Sequence, residues 1–202
     1  MNRASGPPPT RWALYGTSVE QYATTFAEKI EAGEDIDGEA RLADALLPRG
    51  GRVLDVGSGM GRVAAALSAR GHHVTALEPD PGLVAQSRST FPDLEVAPLD
   101  VLAYTPRDPA YDLAVCVGNV LVYLAEGTER RVLAHLASML APDGRILAGF
   151  HLQDGPESRR DYPVEEFVAD VEASGLVVQL RAGSYQLHPA CDEYVVWVLS
   201  RG

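Results

Sequence analysis

The chain reads as an α/β protein: a single three-layer α/β/α sandwich built on a mostly parallel sheet, with helices ahead of it. Three observations predict this. Short apolar runs, RVLDVG, HHVTALE, LEVAPL, YDLAVCVG and GRILAGF, alternate with the helical patterns MGRVAAALSARG, PGLVAQSRSTF and TERRVLAHLASMLA. An order of strand, helix, strand requires parallel neighbours covered by helices. The strand runs are apolar almost throughout, as burial on two faces demands. Finally, 202 residues with 46% hydrophobic and 22% charged side chains suffice for one core that buries roughly 70% of the unfolded surface without a disulfide or metal.

Taken in order, residues 1–10, MNRASGPPPT, hold too little apolar surface to offset ordering entropy and read as a disordered tail before a single domain over 11–202. From Val19 to Glu31, Val19, Tyr22, Ala23, Phe26, Ala27 and Ile30 recur at steps of three and four, one face of a helix. A second helix covers Gly38 to Leu47, stopped by Pro48 and Gly50-Gly51. The two occupy 19–47 and precede a core spanning 52–202. A helix beginning near Met60 follows the first strand. Between LEVAPL and YDLAVCVG the stretch with Pro106 and Pro109 is too short for a crossover helix and predicts a loop or single turn. LAPDGRILAGF reads as a helix end, a Pro-Asp-Gly turn and a strand. At the end, VEEFVADVEASG predicts a helix, and LVVQLRAG and EYVVWVLS are strands joined without a helix, hence an antiparallel pair.

Charge narrows the function classes. The net charge is -11, and the arginines cluster no further than the pairs Arg130-Arg131 and Arg159-Arg160. An extended nucleic-acid footprint needs several cations on one face, so nucleic acid is not the expected partner and a neutral or cationic small molecule is. No apolar run approaches the ~20 residues that cross a bilayer, and MNRASGPPPT lacks the apolar stretch of a secretory leader. A cytoplasmic protein with no membrane partner, monomer or homodimer, is the expectation. Cys116 and Cys191 lack metal-ligand spacing and predict two free thiols and no metal site.

The chemistry concentrates after the first strand. Gly57, Gly59 and Gly61 sit between a strand pattern ending at Val56 and a helix pattern. Glycines there permit a tight turn and let backbone N-H groups approach a ligand. A dinucleotide-binding turn needs G-x-G-x-x-G, and its third glycine would fall at Arg62; the spacing present is G-x-G-x-G. HHVTALE ends with Glu78, 21 residues after Gly57, where a carboxylate at a strand tip can accept hydrogen bonds from both hydroxyls of a ribose.

VLDVGSGMGR followed by TALEPD resembles the first two motifs of the class I, Rossmann-like S-adenosylmethionine (SAM)-dependent methyltransferases of the small-molecule type. The likeness covers about Val53 to Phe150 and, beyond that, only the order of elements. It implies a seven-stranded sheet of order 3-2-1-4-5-7-6 with strand 7 antiparallel, SAM as cofactor, S-adenosylhomocysteine as product, and methyl transfer to a small-molecule acceptor of unspecified identity. In the resemblance, Asp55, Gly57, Ser58, Gly59, Gly61 and Arg62 surround the methionine part of SAM, and Glu78 with Pro79 meets the ribose. Asp100 and the Val101 amide face the adenine, and Val117, Gly118 and Asn119 lie at the sulfonium. Tyr22 resembles a tyrosine that such enzymes place over the cofactor. The Asn/Asp-Pro-Pro-Tyr form of nucleobase-methylating relatives is missing.

The acceptor is expected beyond the carboxyl ends of the strands, roofed by the loop His151 to Tyr162, with His151, Arg159, Arg160 and Asp161, and by the hairpin Gly183 to Asp192, with Tyr185, His188 and Asp192. His151 and Tyr185 are the candidate catalytic residues, His151 as a base because a neutral imidazole titrates near working pH. Two other readings share the motif: a non-catalytic SAM-binding module, and a nicotinamide-dependent oxidoreductase.

Overall fold

The apolar runs become the strands of one seven-stranded sheet in the computed structural model, which describes residues 6–15, 19–108, 110–153 and 159–202. The elements are α1 (Arg11–Tyr15), α2 (Val19–Glu31), α3 (Gly38–Leu46), β1 (Arg52–Val56), α4 (Arg62–Ala69), β2 (His73–Leu77), α5 (Pro81–Thr90), β3 (Val96–Ala97), β4 (Tyr111–Cys116), α6 (Glu129–Met139), β5 (Leu140–His151), α7 (Val164–Ala173), β6 (Leu176–Ala182) and β7 (Tyr194–Arg201). Their spatial order is β3-β2-β1-β4-β5-β7-β6. All pairs are parallel except those of β7, which runs antiparallel to both β5 and β6. The fold expected from the resemblance is the fold observed.

Alternation along each strand divides the core between two faces. Leu54, Val56, Ala114, Cys116, Ile146, Ala148, Phe150, Trp197 and Leu199 pack with Leu133 and Leu136 of α6 and Phe167 and Val171 of α7. Val53, Leu113, Val115, Leu147, Val196 and Val198 face Ala40 and Ala43 of α3 and Val63 and Leu67 of α4 on the other side.

Three elements depart from expectation for local reasons. The third strand shrinks to Val96–Ala97 because the next residue, Pro98, has no N-H for the ladder. The Pro-Asp-Gly segment is part of β5, where pairing jumps from Tyr111↔Leu140 to Leu113↔Arg145, a bulge in place of a turn. A Cβ on Gly144 would lie 2.5 Å from the Tyr111 carbonyl oxygen, so the bulge needs glycine at that approach. Helix α4 starts at Arg62 because Gly61 is held left-handed at φ 85° and caps it. The helix α1 has no counterpart in the sequence reading, and the expected single turn before β4 is a 3-10 turn at Val101–Ala103.

Because β6 and β5 both run antiparallel to β7, they are parallel to each other. The β6-β7 hairpin therefore emerges at the same sheet edge as the tips of β1, β2 and β4. No described helix is long and apolar enough to cross a membrane.

Candidate functional site

Beyond those tips opens a cleft whose empty space, its open mouth included, is about 900 Å³. Its floor begins with the glycine turn. Gly57, Gly59 and Gly61 all have positive φ, 65°, 59° and 85°. The Ser58 amide donates to the Leu77 carbonyl at 2.9 Å and ties the turn to β2. The glycines differ in purpose. Gly57 and Gly59 line the cleft. A Cβ on Gly61 would lie 2.4 Å from Ser87 Oγ and 2.8 Å from Leu94 Cδ2, so Gly61 lets α4 settle against α5 and does not border the cleft.

Glu78, 4% exposed, lines the cleft at the β2 tip. Its Oε2 accepts the Gly59 amide at 2.8 Å and its Oε1 accepts the Asp80 amide at 2.8 Å. Each oxygen keeps a second lone pair for a ligand donor. Burial pushes its carboxyl up to about 7, against the pull of the two amides. Asp55, 2% exposed on β1 behind the turn, is likewise pushed up to about 6 by burial, with the Ser58 side chain and the Arg62 charge opposing. One Asp55 carboxylate oxygen and the Ser58 hydroxyl, both buried, have no well-formed hydrogen bond among the described residues.

At one wall Pro79, Leu83, Leu99, Asp100 and Val101 form a largely apolar slot. The Asp100 side chain accepts the Leu102 amide at 2.8 Å and so also fixes the following turn. At the opposite wall Gly118 and Asn119 are consecutive left-handed residues, φ 68° and 76°, and both line the cleft. Val117 is buried with the α3-facing core instead.

Asn119 reaches β5. Its Oδ1 accepts the His151 amide at 2.9 Å and lies 3.0 Å from His151 Nδ1. The half-buried His151 ring stands edge-on to Tyr194, with centroids 4.8 Å apart. The Tyr194 hydroxyl in turn meets that of Tyr185 at 2.8 Å. Burial holds both phenols well above their ordinary value. Neither His151 nor Tyr185 borders the cleft itself; His151 sits one side chain behind it, through Asn119. Tyr185, expected as a catalytic residue, stands behind Tyr194 and outside the cleft lining.

Other expected residues are used structurally. Arg62 does not line the cleft; it pairs with Glu39 at 2.7 Å and bonds the Ile36 carbonyl, joining α3 to α4. Arg160 is held by Glu129 at 2.7 Å and Glu166 at 2.5 Å, over the Tyr162 ring. Arg159 bonds Asp161 at 2.8 Å. His188 meets Ser184 at 3.0 Å in an exposed turn, and Asp192 is exposed. The Tyr22 side chain and residues 154–158 lie outside the described residues. Among the described residues no His, Cys, Asp and Glu cluster could hold a metal.

Thr10 and Trp12 also line the cleft, with Val56, Val120, Tyr123 and Leu124. The Trp12 indole donates to Asp80 Oδ2 at 3.0 Å, while the Arg11 amide donates to the Tyr123 carbonyl at 2.9 Å. α1 thus bridges the two walls. Its five residues are too few for a periodic signal; Asp80 before Pro81, by contrast, is a readable helix cap and accepts the Gly82 amide at 2.7 Å.

Sheet order, glycine turn and acidic strand tip together define a class I, Rossmann-like α/β protein. A family model described as a methyltransferase domain matches residues 53–144. A TehB-like SAM-dependent methyltransferase from Corynebacterium glutamicum is 33% identical, with 91% of this chain and 98% of that chain covered and a TM-score of 0.80. The 1,6-didemethyltoxoflavin-N1-methyltransferase of Burkholderia thailandensis, solved with its substrate and S-adenosylhomocysteine, shares the fold at 20% identity, with 92% and 91% covered and a TM-score of 0.62. An uncharacterised methyltransferase of Mycobacterium bovis is 31% identical over 106 residues, 52% of this chain and 53% of that protein. The chain thus spans about half the length of the curated relatives it matches. It belongs to the SAM-dependent methyltransferases.

Proposed function

We propose that this chain transfers the methyl group of SAM to a small-molecule acceptor, releasing S-adenosylhomocysteine. The observation that carries this reading is Glu78, a buried carboxylate with lone pairs to spare, fastened to the glycine turn inside the cleft.

The residues suit that cofactor. Glu78 would accept the ribose hydroxyls, with Pro79 beside it. The slot of Leu83, Leu99 and Val101 would take the adenine, with Asp100 at its rim. Gly57, Gly59, Gly118 and Asn119 would face the amino-acid end, with Asp55 and Ser58 buried behind the turn. When bound, SAM supplies an electrophilic methyl group on a sulfonium.

The protein's part is chiefly positioning. Holding a nucleophile in line with its target can supply roughly 7 to 11 kcal/mol without a covalent enzyme intermediate. Trp12, Val120, Tyr123 and Leu124 would exclude water and favour an acceptor with apolar surface. His151, one side chain back from the cleft behind Asn119, would take through one bridging water the proton that an acceptor hydroxyl or ammonium must lose. The scattered arginines, several already paired, support a small molecule over a nucleic acid.

Calorimetry with SAM, S-adenosylhomocysteine and NAD tests the cofactor: the first two should bind and NAD should not. Product formation across a panel of small hydroxyl and amine acceptors tests transfer. Binding of SAM with no transfer to any acceptor would leave a SAM-binding module. With an acceptor in hand, His151→Ala should lower kcat by about 10²-fold or more; unchanged turnover removes His151 as the base.

A further inference from the structure

We infer that Asn119 is a positioning residue that fixes the protonation pattern of His151, keeping the proton on Nδ1 and the lone pair of the neutral ring on Nε2. The argument needs only what each atom can do. The His151 backbone N-H can only donate, so the Asn119 side-chain atom 2.9 Å away must be the amide oxygen. That same oxygen lies 3.0 Å from His151 Nδ1. An amide oxygen only accepts, so Nδ1 must carry the hydrogen. The neutral ring then has its lone pair on Nε2.

Backbone and packing hold the arrangement. Asn119 sits left-handed at φ 76°, a conformation that asparagine tolerates better than most residues, and its own amide donates to the Gly149 carbonyl at 3.0 Å. Asn119 is thus tied to β5 through both its backbone N-H and its side-chain oxygen. Tyr194, edge-on to the imidazole at 4.8 Å, blocks its rotation, and the Tyr185 hydroxyl on Tyr194 at 2.8 Å backs that ring. A Cβ on Gly149 would lie 2.1 Å from the Tyr185 hydroxyl, so glycine on β5 gives the tyrosines their room.

The consequence rests on the base role proposed above. A hydroxyl acceptor would pass its proton through water to Nε2 as its oxygen bonds the methyl carbon, an ammonium acceptor would pass it before its nitrogen could attack, and in both cases the pair of the broken carbon-sulfur bond would stay on sulfur. The ring becomes an imidazolium whose Nδ1-H still points at Asn119 Oδ1. The acceptor class is then one that carries a removable proton, a hydroxyl or an ammonium, and not a tertiary amine or thioether.

The test reads the nitrogens directly. In ¹⁵N-histidine protein above the pH at which His151 loses its charge, His151 should show a protonated-type signal at Nδ1 and a lone-pair-type signal at Nε2. Asn119→Gly keeps the left-handed backbone and removes the acceptor; it should move the neutral ring toward Nε2-H and lower kcat about 10- to 100-fold, with KM for SAM changed less. Asn119→Asp restores an acceptor oxygen and should restore the Nδ1-H signal. A wild-type ring protonated at Nε2, or an Asn119→Gly pattern identical to wild type, overturns the inference. A changed nitrogen pattern with unchanged kcat supports the assignment and removes His151 from catalysis.

Discussion

Glu78 is buried at a strand tip and accepts two backbone amides, so without a ligand its charge is costly, and with a ribose hydroxyl against it that charge is favoured. Burial pushes its carboxyl from the ordinary 4.5 up to about 7. Between those values the folded chain holds more protons than the unfolded chain, so stability falls as pH rises through the window. Asp55 adds the same sign from 3.8 to about 6. Urea denaturation of the ligand-free protein should show that decline, and Glu78→Gln should flatten its upper part. Cofactor binding has the opposite slope. Affinity for SAM should rise with pH through about 7, with proton release visible by calorimetry in buffers of different ionisation heat. Glu78→Gln should weaken SAM binding roughly 10- to 100-fold, the worth of a charge-assisted hydrogen bond. A variant that binds as tightly as wild type would place the ribose elsewhere.

At the scale of elements, the glycine turn and α1 make separable predictions. Gly61→Ala adds left-handed strain and drives a methyl into Ser87 and Leu94, so it should cost about 2–4 kcal/mol of stability. In Gly57→Ala the new Cβ meets Val120 Cγ2 at 2.7 Å, a side chain that can turn aside into the cleft, so the larger loss should be in SAM affinity. Trp12→Phe keeps a ring in the cleft wall but loses the bond to Asp80; stability should change by about 1 kcal/mol and SAM should dissociate several-fold faster, measured by stopped-flow fluorescence. Much of this was legible in the chain. The apolar runs located the strands, and the glycine spacing with Glu78 located one wall of the cleft, because both signals are local. What escaped was non-local or too short. Asn119 and His151 meet across 32 residues, and α1 has five. Arg62 looked free to meet a ligand because nothing in the sequence reveals that Glu39 is waiting on α3. The bulge at Pro142-Asp143-Gly144 is masked by the ordinary turn preference of those residues.

For the whole molecule, the two large core clusters are opposite faces of the same strands, and neither can be lost without exposing the other. Unfolding should therefore be one transition, with the near-ultraviolet signal of buried Trp197 and the far-ultraviolet signal superimposed. SAM at a hundred times its Kd should raise stability by about 2.7 kcal/mol.

The insertion of β7 between β5 and β6 has one more consequence. It delivers a late stretch of the chain, residues 183–193, to the sheet end where the cleft opens, although the cleft itself is lined, among the described residues, only by those up to Leu124. Two phenols fasten that ribbon beside Gly149, yet it shares no strand with the glycine turn. On the reading proposed above, that loop can be rewritten without touching the glycine turn or Glu78. Grafting that loop between relatives should move acceptor preference and leave SAM affinity where it was.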